Sequence, residues 1–306
     1  MASFNFKNWN QILGWSVFLI SLITYWLTVE PTASFWDAGE YITTASNLEV
    51  GHPPGAPLYQ LLGAFFSIFA MEASNIALTI NLMSVFASAF TILFMFWSLT
   101  MLLTNVVSKH QEINKSNSVA ILGSAFIGSL SFAFTDSFWF SAVEAEVYAS
   151  AAFITAVLFY CALRWEREMN TPRGDRWVIL IAFIIGLSFG IHFLGLLTIP
   201  AMGFLYFFKN YKKVTIKNFI IANVVMVAIL LFIFKLLLPM TMKFFSASEL
   251  FFVNSIGLPF HTGTLIAGIV FIALFYYGLR YTRKKNHTQF NTLLLCILFI
   301  FIGFSS

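Results

Sequence analysis

Long apolar runs recur along this 306-residue chain and restrict it to one class of fold. The chain is 59% hydrophobic and only 10% charged, whereas soluble domains carry roughly 25% charged residues. A helix that crosses a bilayer needs about 20 mostly apolar residues. About nine segments approach that length, and we predict a membrane-spanning helix in each: 12–29, 76–107, 118–135, 149–163, 177–191, 194–208, 218–238, 264–280 and 290–304.

These runs predict an all-α fold, a polytopic transmembrane helical bundle that forms a single transmembrane domain over residues 1–306. A further apolar run, 58–71, has about 14 residues and is short for a crossing, so we predict an interfacial or re-entrant helix there. The chain stops at Ser306 directly after an apolar run, which predicts truncation at the C-terminus. Small residues that allow close helix packing include Gly123, Gly128, Gly186 and Gly190.

The basic residues indicate an orientation for the bundle. If the N-terminus is cytoplasmic and the predicted spans alternate, every Lys and Arg falls on the cytoplasmic side except Lys235 and Lys243. This distribution follows the positive-inside rule. We therefore predict a multi-pass integral membrane protein with a cytoplasmic N-terminus. The net charge of +4 does not point to nucleic acid as a partner.

An acidic segment interrupts the apolar pattern in the first predicted outer loop, 30–75. Between Glu30 and Glu72 the chain contains acids and no Lys or Arg. Asp37 and Glu40 lie three residues apart, so both carboxylates project from one face if the segment is helical. Two close carboxylates can raise the pKa of one member and produce a general base near neutral pH. An ordinary solvated loop is the alternative interpretation.

Aromatic and rigid residues flank the two acids. Trp36 and Tyr41 offer aromatic surface that can stack on a sugar ring or lie at the level of the lipid headgroups. The turn that follows contains His52, Pro53 and Pro54. Each proline fixes φ and removes a backbone donor, which suits the wall of a ligand site. A linker that simply ends a helix is the alternative.

A second acidic pair lies in the next predicted outer loop. Glu144 and Glu146 are two residues apart, which places them on one side of an extended segment but on opposite sides of a helix. Charged groups this close to an apolar boundary are costly and usually have a functional or paired role. His192 follows near the outer end of the fifth predicted span. It would face a cavity or a neighbouring helix, and a structural buried histidine is the alternative.

Few cationic groups are predicted on the outer side. Lys243 and His261 lie in the predicted outer loop 239–263, where a lipid-linked phosphate would need such partners. For the lysine, an interfacial side chain that extends to the headgroups is the simpler interpretation.

The sequence contains no P-loop, no GxGxxG, no HExxH and no Cys/His metal cluster. These absences argue against a nucleotide-driven mechanism and against structural zinc. The outer acids could hold a divalent cation such as Mg²⁺ or Mn²⁺, which prefer oxygen ligands, but the sequence specifies no metal site.

Four motifs in this order resemble the membrane glycosyltransferases of the C superfamily (GT-C), and among them the DUF2723 group, which is related to protein O-mannosyltransferases. The matching segments are Trp36–Tyr41, Gly51–Gly55, Glu144–Tyr148 and Gly190–His192. Members of this group are usually longer than this chain, and many have a soluble C-terminal part.

The resemblance implies transfer of a sugar from a polyprenyl-phosphate donor to a hydroxyl acceptor, such as protein Ser/Thr or a glycan, with inversion. It places the reaction on the non-cytoplasmic face of a bacterial inner membrane. Asp37 is then the general base, and Glu40 is its partner or positions the acceptor. The substrate-binding residues implied by the resemblance are Trp36, Tyr41, His52, Pro53, Pro54, Glu144, Glu146, Tyr148 and His192. Lys243 and His261 are the candidates for the donor phosphate.

Two other classes stay open at this point. A transporter or flippase also uses acids near the membrane boundary, as proton relays. Against this class, the polar residues gather in predicted loops and no inverted repeat is visible. A non-catalytic membrane subunit of a larger assembly is the third possibility.

Overall fold

A computed structural model describes residues 5–53, 55–109, 112, 114–171 and 173–305. Within these residues all regular structure is helical and no β-strand occurs, which confirms the predicted all-α fold. Pro54, one of the predicted site residues, lies outside the described residues.

The α-helices follow one another with short connections. In chain order they are α1 (Phe6–Leu27), α2 (Ala38–Asn47), α3 (Pro57–Ser67), α4 (Ile76–Ser108), α5 (Lys115–Ala133), α6 (Asp136–Ala142), α7 (Val147–Glu168), α8 (Gly174–Ser188), α9 (Thr198–Asn210), α10 (Ile216–Leu231), α11 (Leu238–Leu250), α12 (Thr262–Lys284) and α13 (Thr288–Phe304). Short 3₁₀ turns precede α4 (Ala73–Asn75) and α9 (Phe193–Leu197).

Several of these helices are long and apolar enough to cross a bilayer, as expected for an integral membrane protein. Over the part of the chain that the structure describes, the seven candidates are Phe6–Leu27, Ala73–Ser108, Lys115–Ala133, Val147–Glu168, Phe193–Asn210, Ile216–Ser255 and Thr262–Lys284. Helices also form at the other two predicted spans, but α8 has only 15 residues and α13 has 17. The predicted count of nine therefore corresponds to seven full-length candidates and two shorter helices.

The prediction of an outer loop at 239–263 is wrong over most of that range. Helix continues from Ile216 to Ser255, and two π-helical segments, Phe232–Leu237 and Phe251–Ser255, interrupt its α-helical geometry. Pro239 lies at the start of α11, directly after the first π-helical segment. The wider π turn accommodates the proline ring, which would clash with a carbonyl inside a regular α-helix.

The chain forms two compact units. The first comprises the described residues of Met1–Arg167 together with Leu187–Gly195, and the second comprises Glu168–Gly186 and Leu196–Ser305. In the first unit, α1 packs against α4 and α5. Tyr25 is fully buried there, and its hydroxyl donates a hydrogen bond of 2.8 Å to the carbonyl oxygen of Ala133.

Close helix packing in the second unit depends on one of the predicted small residues. A Cβ atom added to Gly186 would overlap the carbonyl oxygen of Ile300 and lie 2.9 Å from the Phe304 nitrogen. The backbones of α8 and α13 therefore approach as closely as the absence of a side chain allows. Gly123 differs, because nothing lies within 4 Å of a Cβ atom added there.

Candidate active site

The segment that leads into α2 is held in place by a buried amide. Asn81 on α4 is fully buried, and its Nδ2 donates to the carbonyl oxygens of Glu30 (2.6 Å) and Thr32 (2.9 Å). Trp36 then adopts a left-handed backbone conformation with φ of 63°, which is uncommon for a bulky residue. This turn directs the chain into α2, with Asp37 at the N-cap position.

Glu40 and His52 form the most extensive polar contact near Asp37. One carboxylate oxygen of Glu40 accepts the backbone N–H of His52 at 2.6 Å, and both oxygens lie 3.1 Å from His52 Nδ1. The other ring nitrogen, Nε2, lies 4.0 Å from Asp37 Oδ2. The imidazole therefore lies between the two carboxylates that the spacing of α2 predicted to share a face.

The hydrogen bonds to Glu40 set its protonation behaviour. The backbone N–H of His52, followed by its side chain, holds the pKa of Glu40 below its ordinary value. A carboxylate that already accepts two hydrogen bonds is a weak proton acceptor. Glu40 therefore suits the positioning of His52 better than proton abstraction.

The turn between α2 and α3 delivers His52 to this position. Gly55 has a φ of 73°, in the region that favours glycine, and its N–H donates to the carbonyl oxygen of His52 at 2.8 Å. The start of α3 is anchored because the N–H groups of Leu58 and Tyr59 donate to the Gly190 carbonyl oxygen at 2.8 and 3.1 Å. Pro53 is exposed on the turn.

Glu144 and Glu146 lie in the connection between α6 and α7, and both are buried. The Ser34 hydroxyl donates to the carboxylate of Glu144. The backbone N–H groups of Asp37 and Val147 lie close enough to the carboxylate of Glu146 to favour its charged form. The carboxylate of Glu146 is thus close to the backbone of Asp37, the predicted base, and to that of Val147, the first residue of α7.

Burial raises the pKa of both buried acids. For Glu146 the pKa rises to about 7, mainly because burial disfavours the charge and secondly because Glu144 and Asp37 are close. Burial also raises the pKa of Glu144. Carboxyl groups with raised pKa values are common in clefts that handle protons.

A pH dependence of stability follows from Glu146. Between pH 4.5, its ordinary pKa, and about 7, the folded state keeps a proton on Glu146 that the unfolded state has lost. The free energy of unfolding should therefore fall as pH rises through this window and level off above it. We expect Glu146→Gln to flatten this slope, as measured by thermal unfolding in detergent over a pH series. An unchanged slope in the variant would contradict the assignment.

The predicted aromatic residues lie in two places within the first unit. The ring of Tyr41 lies 5.1 Å from that of Tyr59 and 6.0 Å from that of His52. Burial, reinforced by the charge of Glu146, raises the pKa of Tyr41 to about 12. Trp36 is 88% exposed beside Asp37, so its indole is available for contact with a ligand or with headgroups.

Tyr148 and His192 form a separate pair. Their rings lie 5.7 Å apart, and His192 also stacks on Phe193 at 4.6 Å. The Nδ1 atom of His192 accepts the N–H of Leu194 at 3.2 Å, which identifies that nitrogen as the unprotonated one. Burial lowers the pKa of His192, so the ring stays neutral at neutral pH.

The two predicted phosphate partners belong to the second unit. Lys243 is exposed on α11, within a helix and not within a loop. His261 lies just before α12, and its N–H donates to Glu249 at 2.6 Å. Glu249 also accepts from the N–H and the hydroxyl of Thr264, so this carboxylate caps the start of α12.

Three polar residues near Asp37 were not predicted as site residues: Ser34, Gln60 and Asn81. Gln60 and Asn81 are isolated amides in otherwise apolar runs. That isolation is a usable signal, because a buried amide needs partners. Ser34 has no comparable signal, since small polar residues are common in loops.

The same centre contains groups that could hold a cation. Asp37, Glu40 and His52 each offer a ligand atom, and these atoms lie within 4.8 Å of one another. Two carboxylates with one imidazole suit divalent ions such as Mn²⁺. A cation would compete with the hydrogen bond between Glu40 and His52. The sequence indicated the outer acids as possible ligands but specified no metal site.

The chain is similar in sequence to known proteins. Protein O-mannosyl-transferase tmem260 of Dictyostelium discoideum is 27% identical over 206 residues, which cover 63% of this chain and 23% of that protein. Protein O-mannosyl-transferase TMEM260 of Mus musculus is 26% identical over 173 residues, which cover 56% of this chain and 22% of that protein. The chain thus spans less than a quarter of these curated relatives. No solved structure gives a match.

A family model also matches the chain. It is described as the N-terminal domain of protein O-mannosyl-transferase TMEM260, and it covers residues 37–215. The matched region begins at Asp37 and includes the turn with His52, the acidic connection before α7 and His192. Because this region is more than half of the chain, the protein belongs to the family of the TMEM260 protein O-mannosyl-transferase N-terminal domain.

Proposed function

We propose that this chain is the membrane part of a GT-C type glycosyltransferase of the DUF2723 group, which moves a sugar from a polyprenyl-phosphate donor to a hydroxyl of a protein. The names of the relatives support mannose as the sugar and protein as the acceptor. The observation that carries the proposal is the position of the His52 ring between Asp37 and Glu40, with the buried acid Glu146 close to Asp37.

The charge of the site suits sugar transfer. Asp37, Glu40, Glu144 and Glu146 bring four acidic groups into one region of the first unit. Positive charge develops at the anomeric carbon during glycosyl transfer. Glu40 keeps its negative charge at neutral pH because its pKa is lowered, and a fixed negative group stabilises the developing charge without having to reorganise.

The proposed reaction is a single displacement. Asp37 removes the proton from the acceptor hydroxyl as its oxygen attacks the anomeric carbon. The new carbon–oxygen bond forms while the bond from that carbon to the phosphate oxygen breaks, and both electrons leave with the lipid phosphate. Attack from the side opposite the phosphate inverts the anomeric carbon. Glu40 stays ionised and holds His52, whose Nε2 faces Asp37.

The proposed orientation puts this site on the non-cytoplasmic face of a bacterial inner membrane, with the N-terminus in the cytoplasm. The distribution of Lys and Arg supports this choice. Trp36 and Tyr41 stay candidates for contact with the sugar.

Sealed membrane vesicles of both orientations test whether the chain transfers sugar and on which face of the membrane it does so. Vesicles containing the chain would receive a short-chain lipid-phosphate mannose and an impermeant threonine peptide from outside. We expect mannosylated peptide from right-side-out vesicles and none from inverted ones, measured by mass spectrometry. Product from inverted vesicles alone would refute the orientation. Movement of the lipid donor across the bilayer without any product would favour a flippase.

A further inference from the structure

Gln60 is a buried side chain whose amide has no partner. The residue is 5% exposed, and neither Nε2 nor Oε1 has a hydrogen-bond partner among the residues that the structure describes. Buried amides are normally paired. An apolar side chain of similar length would avoid the penalty of burying this one. The amide therefore needs a partner that the described chain does not supply.

The amide lies close to Gly51, where any side chain would crowd it. A Cβ atom added to Gly51 would lie 3.2 Å from Gln60 Nε2 and 3.2 Å from Glu40 Oε1. Thr44 Oγ1 would lie 3.9 Å from the same point. A hydrogen-bond donor and an acceptor thus face the same side of Gly51.

Glycine is needed here for space and not for backbone conformation. The φ of Gly51 lies outside the left-handed range that L-residues avoid. Gly55 in the same turn is the opposite case, because its φ is 73° and nothing lies within 4 Å of its missing side chain. The turn therefore contains one glycine that shapes the chain and one that allows Gln60 and Glu40 to approach the backbone closely.

We propose that Gln60, Gly51 and Glu40 form a subsite that binds one hydroxyl group of the substrate. The hydroxyl oxygen accepts from Gln60 Nε2, and its proton is donated to Glu40 Oε1, a combination that an alcohol satisfies with one atom. Glu40 is partly exposed, so the substrate approaches from the side of Glu40. This subsite rests on the proposed function, and the alcohol belongs to the donor sugar or to the acceptor side chain.

Binding measurements on the 306-residue chain in lipid nanodiscs test the subsite. The probes are farnesyl-phosphate mannose, its monodeoxy analogues and a threonine peptide. The variants are Gln60→Met, which keeps the length of the side chain, and Gly51→Ala, which places a methyl group against both Gln60 Nε2 and Glu40 Oε1. Gly123→Ala is the matched control, because its Cβ meets nothing within 4 Å.

We expect the unmodified chain to bind one deoxy analogue about tenfold more weakly than the parent sugar, as expected for loss of a hydrogen bond to a charged group. Gln60→Met and Gly51→Ala should lose this discrimination, whereas Gly123→Ala keeps it. Gln60→Met should not lower the midpoint of thermal unfolding, because it removes an unpaired buried amide. If only the affinity for the peptide falls in Gln60→Met, the bound alcohol is that of the acceptor.

Unchanged affinities for every probe together with a lowered unfolding midpoint in Gln60→Met would overturn the subsite, because Gln60 would then be structural. Unchanged affinities without that loss would also overturn it. The proposed function fails in a different way. A donor that binds with the expected discrimination but is never transferred would refute the transferase and leave the subsite standing.

Discussion

Asp37→Asn should lower sugar transfer by about 10²–10⁴-fold, the range that a positioned general base contributes. The amide has nearly the shape of the carboxylate but cannot take the proton of the acceptor hydroxyl. Binding of the donor should change little, because the substitution leaves the contact between Glu40 and His52 in place. The measurement is the rate of transfer from lipid-phosphate mannose in membranes that contain equal amounts of inserted protein.

Asp136→Asn is the matched control for this prediction. Asp136 is an exposed acid in the first turn of the short helix α6, much as Asp37 lies at the start of α2. The control should transfer sugar at the rate of the unmodified chain. Full activity in Asp37→Asn would exclude Asp37 as the base. An equal loss in both variants would point to a general effect of surface charge.

Gly186→Ala should destabilise the second unit by about 1–3 kcal/mol or more, the usual range for overpacking. The added methyl group meets the main chain of α13, at Ile300, Gly303 and Phe304. Main-chain atoms cannot rotate away as the end of a side chain can, so the helices must separate. Thermal unfolding of the purified chain in detergent measures the effect.

Gly123→Ala should change the stability in the opposite direction in the same experiment. Both glycines lie inside helices, and alanine favours a helix over glycine by roughly 0.5–1 kcal/mol. At Gly123 nothing opposes that gain within 4 Å, so this variant should be as stable as the unmodified chain or more stable. Equal stabilities for the two variants would show that α8 and α13 do not pack through Gly186.

The hydrophobic pattern was sufficient to predict where helices form. Each apolar run became a helix because a chain in lipid must satisfy its backbone hydrogen bonds locally. The hydrophobic pattern did not predict the helix after residue 238, because Pro239, Lys243 and Glu249 are residue types typical of a loop. The π-helical segment before Pro239 accommodates the proline, and the sequence carries no clear signal for such a segment.

The candidate site was predictable only where its geometry is local. Spacing along α2 predicted that Asp37 and Glu40 would share a face. The hydrogen bond from His52 to Glu40 and the proximity of Glu146 to Asp37 bring together residues from different turns and helices. Such contacts depend on how the turns and helices pack, and no periodicity in one sequence encodes them. The roles of these residues in catalysis stay predictions.

The helical stretch Ile216–Ser255 has a consequence for where its charges lie. Its 40 residues would measure about 60 Å at 1.5 Å per residue. The hydrocarbon layer is only about 30 Å thick, so only about half of an upright helix of this length would lie within that layer. The other half, with Lys243 and Glu249, must then emerge among the headgroups or in water, where both side chains can stay ionised.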